Sequence, residues 1–283
     1  MKAKIQIIIA MALYGTLSVF VRNIPLPSSL VALCRAAIAL AGLLVLQAAR
    51  GRLPRLRKIG GDAALLFLSG AAMGFNWIFL FEAYRHTTVS VATLSYYFAP
   101  VLVMALCPIL FKERMTKKQV LCFVGSTAGL ILVVNVGGTG GGDHVKGVAF
   151  GLAAAVLYAT VILMNKRITR VSGIDRTIMQ FAAAALVLLP YVLATTGVRF
   201  DGMTPLGWAC LLCVGLLHSG VAYVLYFSAL RTLPGQEAAI LSYIDPLVAV
   251  LISLTVLGEP VTALQMIGGV MILAFTLVNE IRG

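Results

Sequence analysis

Three ionisable side chains in this sequence stand where an apolar chain rarely keeps one. Asp245 precedes Pro246 directly within "ILSYIDPLVAVLISLTVLGEP" (residues 240–260), His218 lies in "GLLHSGVAY", and Arg35 lies in "LVALCRAAIAL". A carboxylate in such a run can bind a cationic group, for example an α-amino group, or take up a proton. The alternative is a structural hydrogen bond between helices. His218, an imidazole that ordinarily titrates near neutrality, suits proton exchange alone or with Asp245 as its partner. A neutral interhelical histidine is the other reading. Arg35 is read as taking a buried ion pair or a carbonyl contact rather than a substrate.

Around these groups the sequence gathers aromatic and polar residues: Asn76 and Trp77, Tyr96 and Tyr97, Tyr223, and Ser242 and Tyr243 just before Asp245. Such residues can wall a cavity with apolar faces and polar tips, although some of the rings must serve packing. Trp208 reads as an interfacial anchor. Cys210-Leu-Leu-Cys213 has the spacing of a redox or zinc pair, but a metal needs further ligands that the segment does not offer, so the cysteines read as packing residues and no metal or cofactor is expected. There is no Gly-x-Ser-x-Gly, no His-Glu-x-x-His and no second intramembrane aspartate to form a dyad, and the glycine-rich run 137–142 lacks the Gly-Lys-Ser/Thr of a phosphate loop. These absences argue against an enzyme.

The elements that must position these residues follow from composition. Of 283 residues, 60% are hydrophobic and 11% charged, with a mean hydropathy of +1.00. A soluble domain carries about a quarter charged residues, so the chain is read as a membrane protein. Its apolar residues fall into ten blocks, about 5–24, 28–49, 62–84, 88–111, 118–136, 146–168, 174–196, 206–230, 236–257 and 263–280. Most approach the roughly 20 residues that one spanning helix needs. Uninterrupted runs of this length exclude barrel strands, so the bundle is helical. The first block follows Lys2 and Lys4 as a signal peptide would, but no small-residue cleavage site follows it and it is retained as the first helix.

With the N-terminus in the cytoplasm, seventeen of the 22 lysines and arginines fall on the inner side. Arg22, Arg85, Lys146 and Arg199 fall outside, and Arg35 lies within a span. This asymmetry puts both termini in the cytoplasm. It also accounts for the formal charge of +12 without a nucleic-acid partner.

Placing Pro100 over Pro246 aligns residues 81–119 with 227–265 without a gap. Nine positions are identical, among them Tyr97/Tyr243 and Glu113/Glu259. Near the N-terminus, Tyr14-Gly15 overlies Tyr158-Ala159 and Arg22 overlies Lys166. The chain therefore reads as two five-helix units, residues 1–136 and 146–283, joined by a glycine-rich linker at 137–145. Five is odd, so the second unit enters the membrane inverted. In support, the turn "FKERMTKKQ" (111–119) carries four basic residues and its counterpart "LGEPVTALQ" (257–265) carries none. Each unit places a proline within a helix, where it removes a backbone hydrogen bond. Pro100 would free the carbonyl of Tyr96, and Pro246 that of Ser242, as acceptors for a solute or water in a hydrated cavity; the alternative is a packing kink satisfied by a neighbouring hydroxyl.

In "SYIDPLVAVLISLTVLGEP", the parallel "SYYFAPVLVMALCPILFKER" and Arg35 of the second helix, the chain resembles the drug/metabolite transporter superfamily, in particular its ten-helix EamA family. In many members of that family a glutamate precedes the proline of the ninth helix, so Asp245 is a shortened version of that acid, and its mate Ala99 is neutral. The resemblance implies two inverted bundles around a central cavity and export of small metabolites, often amino acids, by alternating access. The expected fold is thus an all-α integral membrane protein of ten helices in the inner membrane. Its expected partners are a small-molecule substrate and membrane lipid, with protons as candidate coupling ions, as a monomer or a dimer. Drugs and nucleotide sugars remain alternative substrates, and a channel is the weaker alternative mechanism.

Overall fold

The computed structural model describes residues 2–51, 60–111, 116–135, 141–168, 171, 174–230, 241, 244–259 and 261–280. Among the described residues all regular structure is helical. The helices are α1 (Lys2–Arg22), α2 (Ser28–Ala49), α3 (Ala63–His86), α4 (Val89–Tyr96), α5 (Ala99–Phe111), α6 (Lys117–Asn135), α7 (Gly141–Arg167), α8 (Ile174–Thr195), α9 (Pro205–Cys213), α10 (Ala222–Leu230), α11 (Ile244–Thr255) and α12 (Ala263–Glu280). A π-helical segment, Val214–Val221, joins α9 to α10.

Among the described residues, six stretches are long and apolar enough to cross a membrane: Ala3–Arg22, Ser28–Ala49, Ala63–His86, Asp143–Asn165, Ile174–Thr195 and Pro205–Tyr226. A helix of 22 residues, the length of α2, rises about 33 Å, against a hydrocarbon core of about 30 Å. Shorter apolar helical stretches occur at Val89–Val103, which spans α4 and the start of α5, and at Val120–Leu132, Ile244–Thr255 and Met266–Phe275. Large aliphatic side chains such as Val45, Leu121, Leu186 and Val270 face outward, as a lipid solvent allows. The protein is a multi-pass membrane protein.

The block at 88–111 differs from a single kinked helix. It forms two helices, with Tyr97 and Phe98 as a turn between α4 and α5. Pro100 is therefore the second residue of α5, a first-turn position where its missing N–H has no intrahelical partner to lose. Tyr97 N still donates to Thr93 O (2.8 Å), whereas Phe98 N reaches only three residues back, to Ser95 O (3.2 Å). Pro246 likewise occupies the first turn of α11. Ser242, whose carbonyl was to be freed, lies outside the described residues.

In the packing, α3 lies against α7 and α8, α2 against α8 and the π segment, and α1 against α10 and α11. Helix α4 lies against α7 and α11, and α6 against α12. The largest buried cluster, including Leu30, Phe81, Phe181 and Leu188, fills the space among α2, α3 and α8. Small residues bring these helices close. A Cβ built on Gly70 of α3 would stand 2.5 Å from the carbonyl oxygen of Gln180 in α8.

At one face of the bundle the helix ends are tied at Glu259. Gly258, at φ +60°, turns the chain after α11. Glu259 Oε2 then accepts from Val89 N at the start of α4 (2.7 Å) and from Ser253 Oγ (2.5 Å). Its other oxygen pairs with the Arg22 guanidinium at the end of α1. Arg22 Nη2 donates in turn to the carbonyls of Tyr84 (3.0 Å) and Thr87 (3.1 Å). One carboxylate thereby satisfies the N-terminus of α4 and, through Arg22, the C-terminal carbonyls of α3, which is the charge placement that helix dipoles favour.

Gly70→Ala is expected to destabilise the detergent-solubilised protein by about 1–3 kcal/mol through overpacking. Gly42→Ala, whose Cβ would meet only Leu216 at 3.5 Å, is expected to be neutral or better in the same thermal melt. Glu259→Ala is expected to cost about 1–3 kcal/mol by stranding Arg22 and Val89 N. Adding Arg22→Ala should cost less than the sum of the single effects. Unchanged melting of the Glu259 variant would show that the tie carries no stability.

Candidate functional site

Asp245 sits in the first turn of α11, half-buried. The phenol of Tyr97, in the turn between α4 and α5, donates to its Oδ2 at 2.6 Å. Two helix contacts hold this pair in place. Gly15 of α1 packs on the Asp245 backbone so closely that a Cβ there would stand 2.7 Å from its carbonyl oxygen. Gly151 of α7 packs on α4, where a Cβ would stand 2.8 Å from Ser95 Cβ. Tyr96 stacks on Tyr158 (ring centroids 5.2 Å) and meets Tyr97 edge-on (5.8 Å). Tyr84, Tyr96, Tyr97 and Tyr158 all lie within electrostatic reach of the carboxylate. The geometry gives one acid, one phenol donor bonded to it, and further rings around both.

A second polar group belongs to the π segment. A π turn closes over five residues instead of four, and its side chains follow that register. His218 Nδ1 lies 3.1 Å from Cys213 O, and Ser219 Oγ donates to Val214 O at 2.9 Å, each five residues back. The wide turn presents His218 to α1 and Ser219 to α2. His218 Nε2 lies 3.0 Å from Thr16 Oγ1, and its ring packs on Phe20 at 4.9 Å. His218 thus pairs with Thr16 and not with Asp245. Gly215 lets the segment approach α2, where a Cβ would stand 2.5 Å from Ile38 Cγ2.

Arg35 of α2 differs from its expected ion pair or carbonyl contact. Its Nε donates to Ser219 Oγ at 2.6 Å, and its guanidinium lies over the rings of Trp77 (4.6 Å) and Phe81 (5.9 Å). Trp77 continues into a run of rings, Trp77 to Phe181 (5.6 Å), Phe181 to Tyr223 (5.2 Å) and Tyr223 to Tyr14 (5.6 Å). Arg35 and Asp245 therefore stand in one tyrosine-rich interior, since Tyr84 and Tyr96 lie within electrostatic reach of both.

The remaining candidates fall elsewhere or outside view. Asn76 Nδ2 donates to Ala154 O at 2.6 Å, a buried link from α3 to α7. Ser242 and Tyr243 lie outside the described residues. Trp208 is exposed near the start of α9. Cys210 is buried and free, Cys213 half-buried and free, and among the described residues no cluster could hold a metal. Tyr14, Thr16 and Tyr158 were not singled out by type, because tyrosine and threonine are unremarkable in apolar helices. Only the alignment of Tyr14 with Tyr158 marked either tyrosine. An apolar cavity of about 360 Å³ lies between α2 and the π segment, lined by Leu43, Leu46, Arg50, Leu216 and Val224 among others. Neither Asp245 nor Tyr97 lines it.

Comparison with known proteins places the chain in a family. An uncharacterized transporter of Bacillus subtilis (strain 168), YxxF, is 27% identical over 99% of this chain and 90% of its own. An uncharacterized transporter of Archaeoglobus fulgidus is 30% identical over 96% of this chain and 94% of its own. A protein of known crystal structure, 22% identical, superposes with a TM-score of 0.66 over 98% of this chain and 97% of its own, a likeness of fold. The profile of the EamA-like transporter family matches residues 1–135 and again residues 145–280. The chain belongs to the EamA-like transporter family.

Proposed function

We propose that the protein is a secondary transporter that exports small metabolites, amino acids foremost, across the cytoplasmic membrane, with Asp245 in its transport site. The observation that carries this reading is the 2.6 Å hydrogen bond from Tyr97 to Asp245. It joins a residue of the first half to one of the second, inside the bundle. An acid at mid-membrane is unfavourable by about 2.5–3.5 kcal/mol on insertion scales and is usually kept where a cavity, a partner or a solute meets it. The phenol satisfies one lobe of the carboxylate and leaves acceptor capacity for an α-amino group or a proton. His218, held between Thr16 and Cys213 O, is the second candidate for proton coupling.

Alternating access asks for two halves that can rock against each other, and several features support that arrangement. If α1, α2, α3, α4–α5 and α6 correspond to α7, α8, α9–α10, α11 and α12, contacts of one half should recur in the other. The contact of α3 with α7 has its counterpart in α10 with α1. That of α3 with α8 has its counterpart in the π segment with α2, and that of α4 with α7 in α11 with α1. The pairs α2 with α8, α4 with α11 and α6 with α12 map onto themselves. A two-fold relation generates this pattern of neighbours, and the doubled family match agrees with units at 1–136 and 146–283. The positive-inside asymmetry puts both termini in the cytoplasm and the Glu259 tie on the outer face.

The test is efflux from proteoliposomes loaded with a panel of labelled amino acids, with and without an imposed proton gradient. Wild type is expected to give saturable flux. Asp245→Asn is expected to lower it about 100-fold or more, as loss of a buried charge-assisted contact would. Tyr97→Phe is expected to lower flux about ten-fold with an altered dependence on pH, because the carboxylate loses its one fixed donor. Asp245→Asn transporting as well as wild type under every gradient would overturn the reading.

A further inference from the structure

Arg35 is 3% exposed. Among the described residues no carboxylate pairs with it. Arg22 engages Glu259, Arg85 and His86 engage Glu82, His86 also meets Asp143, and Tyr97 engages Asp245. A guanidinium taken out of water without a counter-ion is costly. One hydroxyl contact at Nε and two ring faces offset that cost only in part.

The way it is held leaves it open to a ligand. With Nε committed to Ser219 and the flat face lying over Trp77, the edge that carries Nη1 and Nη2 makes no hydrogen bond to a described residue. That edge is the fork that matches a carboxylate with two parallel bonds. A further donor stands nearby. The hydroxyl of Tyr14 is buried with no hydrogen-bond partner among the described residues, and Tyr14 belongs to the tyrosines within electrostatic reach of the guanidinium. The site thus joins a buried cation, whose fork bonds no described residue, to a phenol within electrostatic reach that has no partner among the described residues.

We infer that Arg35 is the anion-binding residue of the transport site, its Nη edge and the Tyr14 hydroxyl holding the carboxylate of the solute while the Asp245 end receives a cationic group or a proton. This inference rests on the transport reading above and narrows the substrate to organic carboxylates, zwitterions included. Arg35 selects for the anionic group by charge and fork geometry. Ser219 and Trp77 act through Arg35 as positioning residues, and the π turn that presents Ser219 is part of that positioning.

The test uses Trp77 as its own reporter. The chain has two tryptophans, so Trp208→Phe leaves Trp77, stacked on the guanidinium, as the sole indole. The protein in lipid nanodiscs is titrated with propionate and, separately, with propionamide at constant ionic strength, and Trp77 emission is followed. Propionate is expected to change the emission saturably and propionamide to leave it flat. Adding Arg35→Gln should weaken the propionate response about ten-fold or more, and Arg35→Lys, which keeps the charge but loses the fork, should fall between. If Arg35→Gln does not fold, Arg35→Lys with an undisturbed elution profile carries the comparison. A propionate response no stronger than that of propionamide, or one that Arg35 variants leave intact, would overturn the assignment. If Asp245-dependent amino-acid flux persisted in that case, the transport reading would stand without Arg35.

Discussion

Polar groups inside a bilayer have no water to fall back on, and the interior of this protein is organised by which of them find a partner. The decisive case is the Asp245 carboxylate, answered by the phenol of Tyr97 at 2.6 Å. The bond requires α11 and the α4–α5 turn to lie side by side, which in turn requires α1 to close on α11 at Gly15 and α7 to close on α4 at Gly151. Small residues at those two contacts are the packing condition for one hydrogen bond between the halves. The same logic runs through the other polar groups. Thr16 answers His218, Ser219 answers one edge of Arg35, and the Ala154 carbonyl answers Asn76.

The π segment shows how local backbone geometry serves this economy. A regular α-helix over 214–221 would place successive side chains about 100° apart. The wider turn lets His218 and Ser219 each bond five residues back and face different helices. One helix thereby supplies α1 with an imidazole and α2 with a hydroxyl. At the helix ends Glu259 plays the corresponding part. It joins Arg22, Val89 N and Ser253, so that four helix ends share one partly buried charge. The centre and the end of the bundle are thus each held by a single carboxylate, Asp245 with one donor and Glu259 with several.

Much of this was legible from residue order. Hydropathy alone marks the helical class and the positions of α1, α2, α3, α7 and α8, because an apolar run long enough to span leaves few alternatives. Asp245 is conspicuous because its cost in an apolar run is large. Its donor is not, since Tyr97 lies 148 residues away and any of several tyrosines fits the description. Pro100 was read as a kink within one helix, but the chain uses it to open a second helix after a two-residue turn, a choice that depends on tertiary packing at Tyr97 and Phe98. Arg35 was expected to meet an acid or a carbonyl. Its contacts with Ser219 and Trp77 depend on the π register and on how α3 packs, neither of which a hydropathy pattern records. Glu259 was visible only as a repeated residue of a turn, and its partners come from three other helix ends.

The claim at the centre of this account is that Asp245 faces a space that solute can enter rather than a sealed interhelical contact. The most direct measurement is made with cysteine at position 245 in a background with the five native cysteines replaced, reacted in proteoliposomes with a membrane-impermeant cationic thiosulfonate. The account predicts labelling at a measurable rate from at least one side of the membrane. A residue 245 that stays unlabelled from both sides of the membrane, in a protein that still folds and inserts, would contradict it.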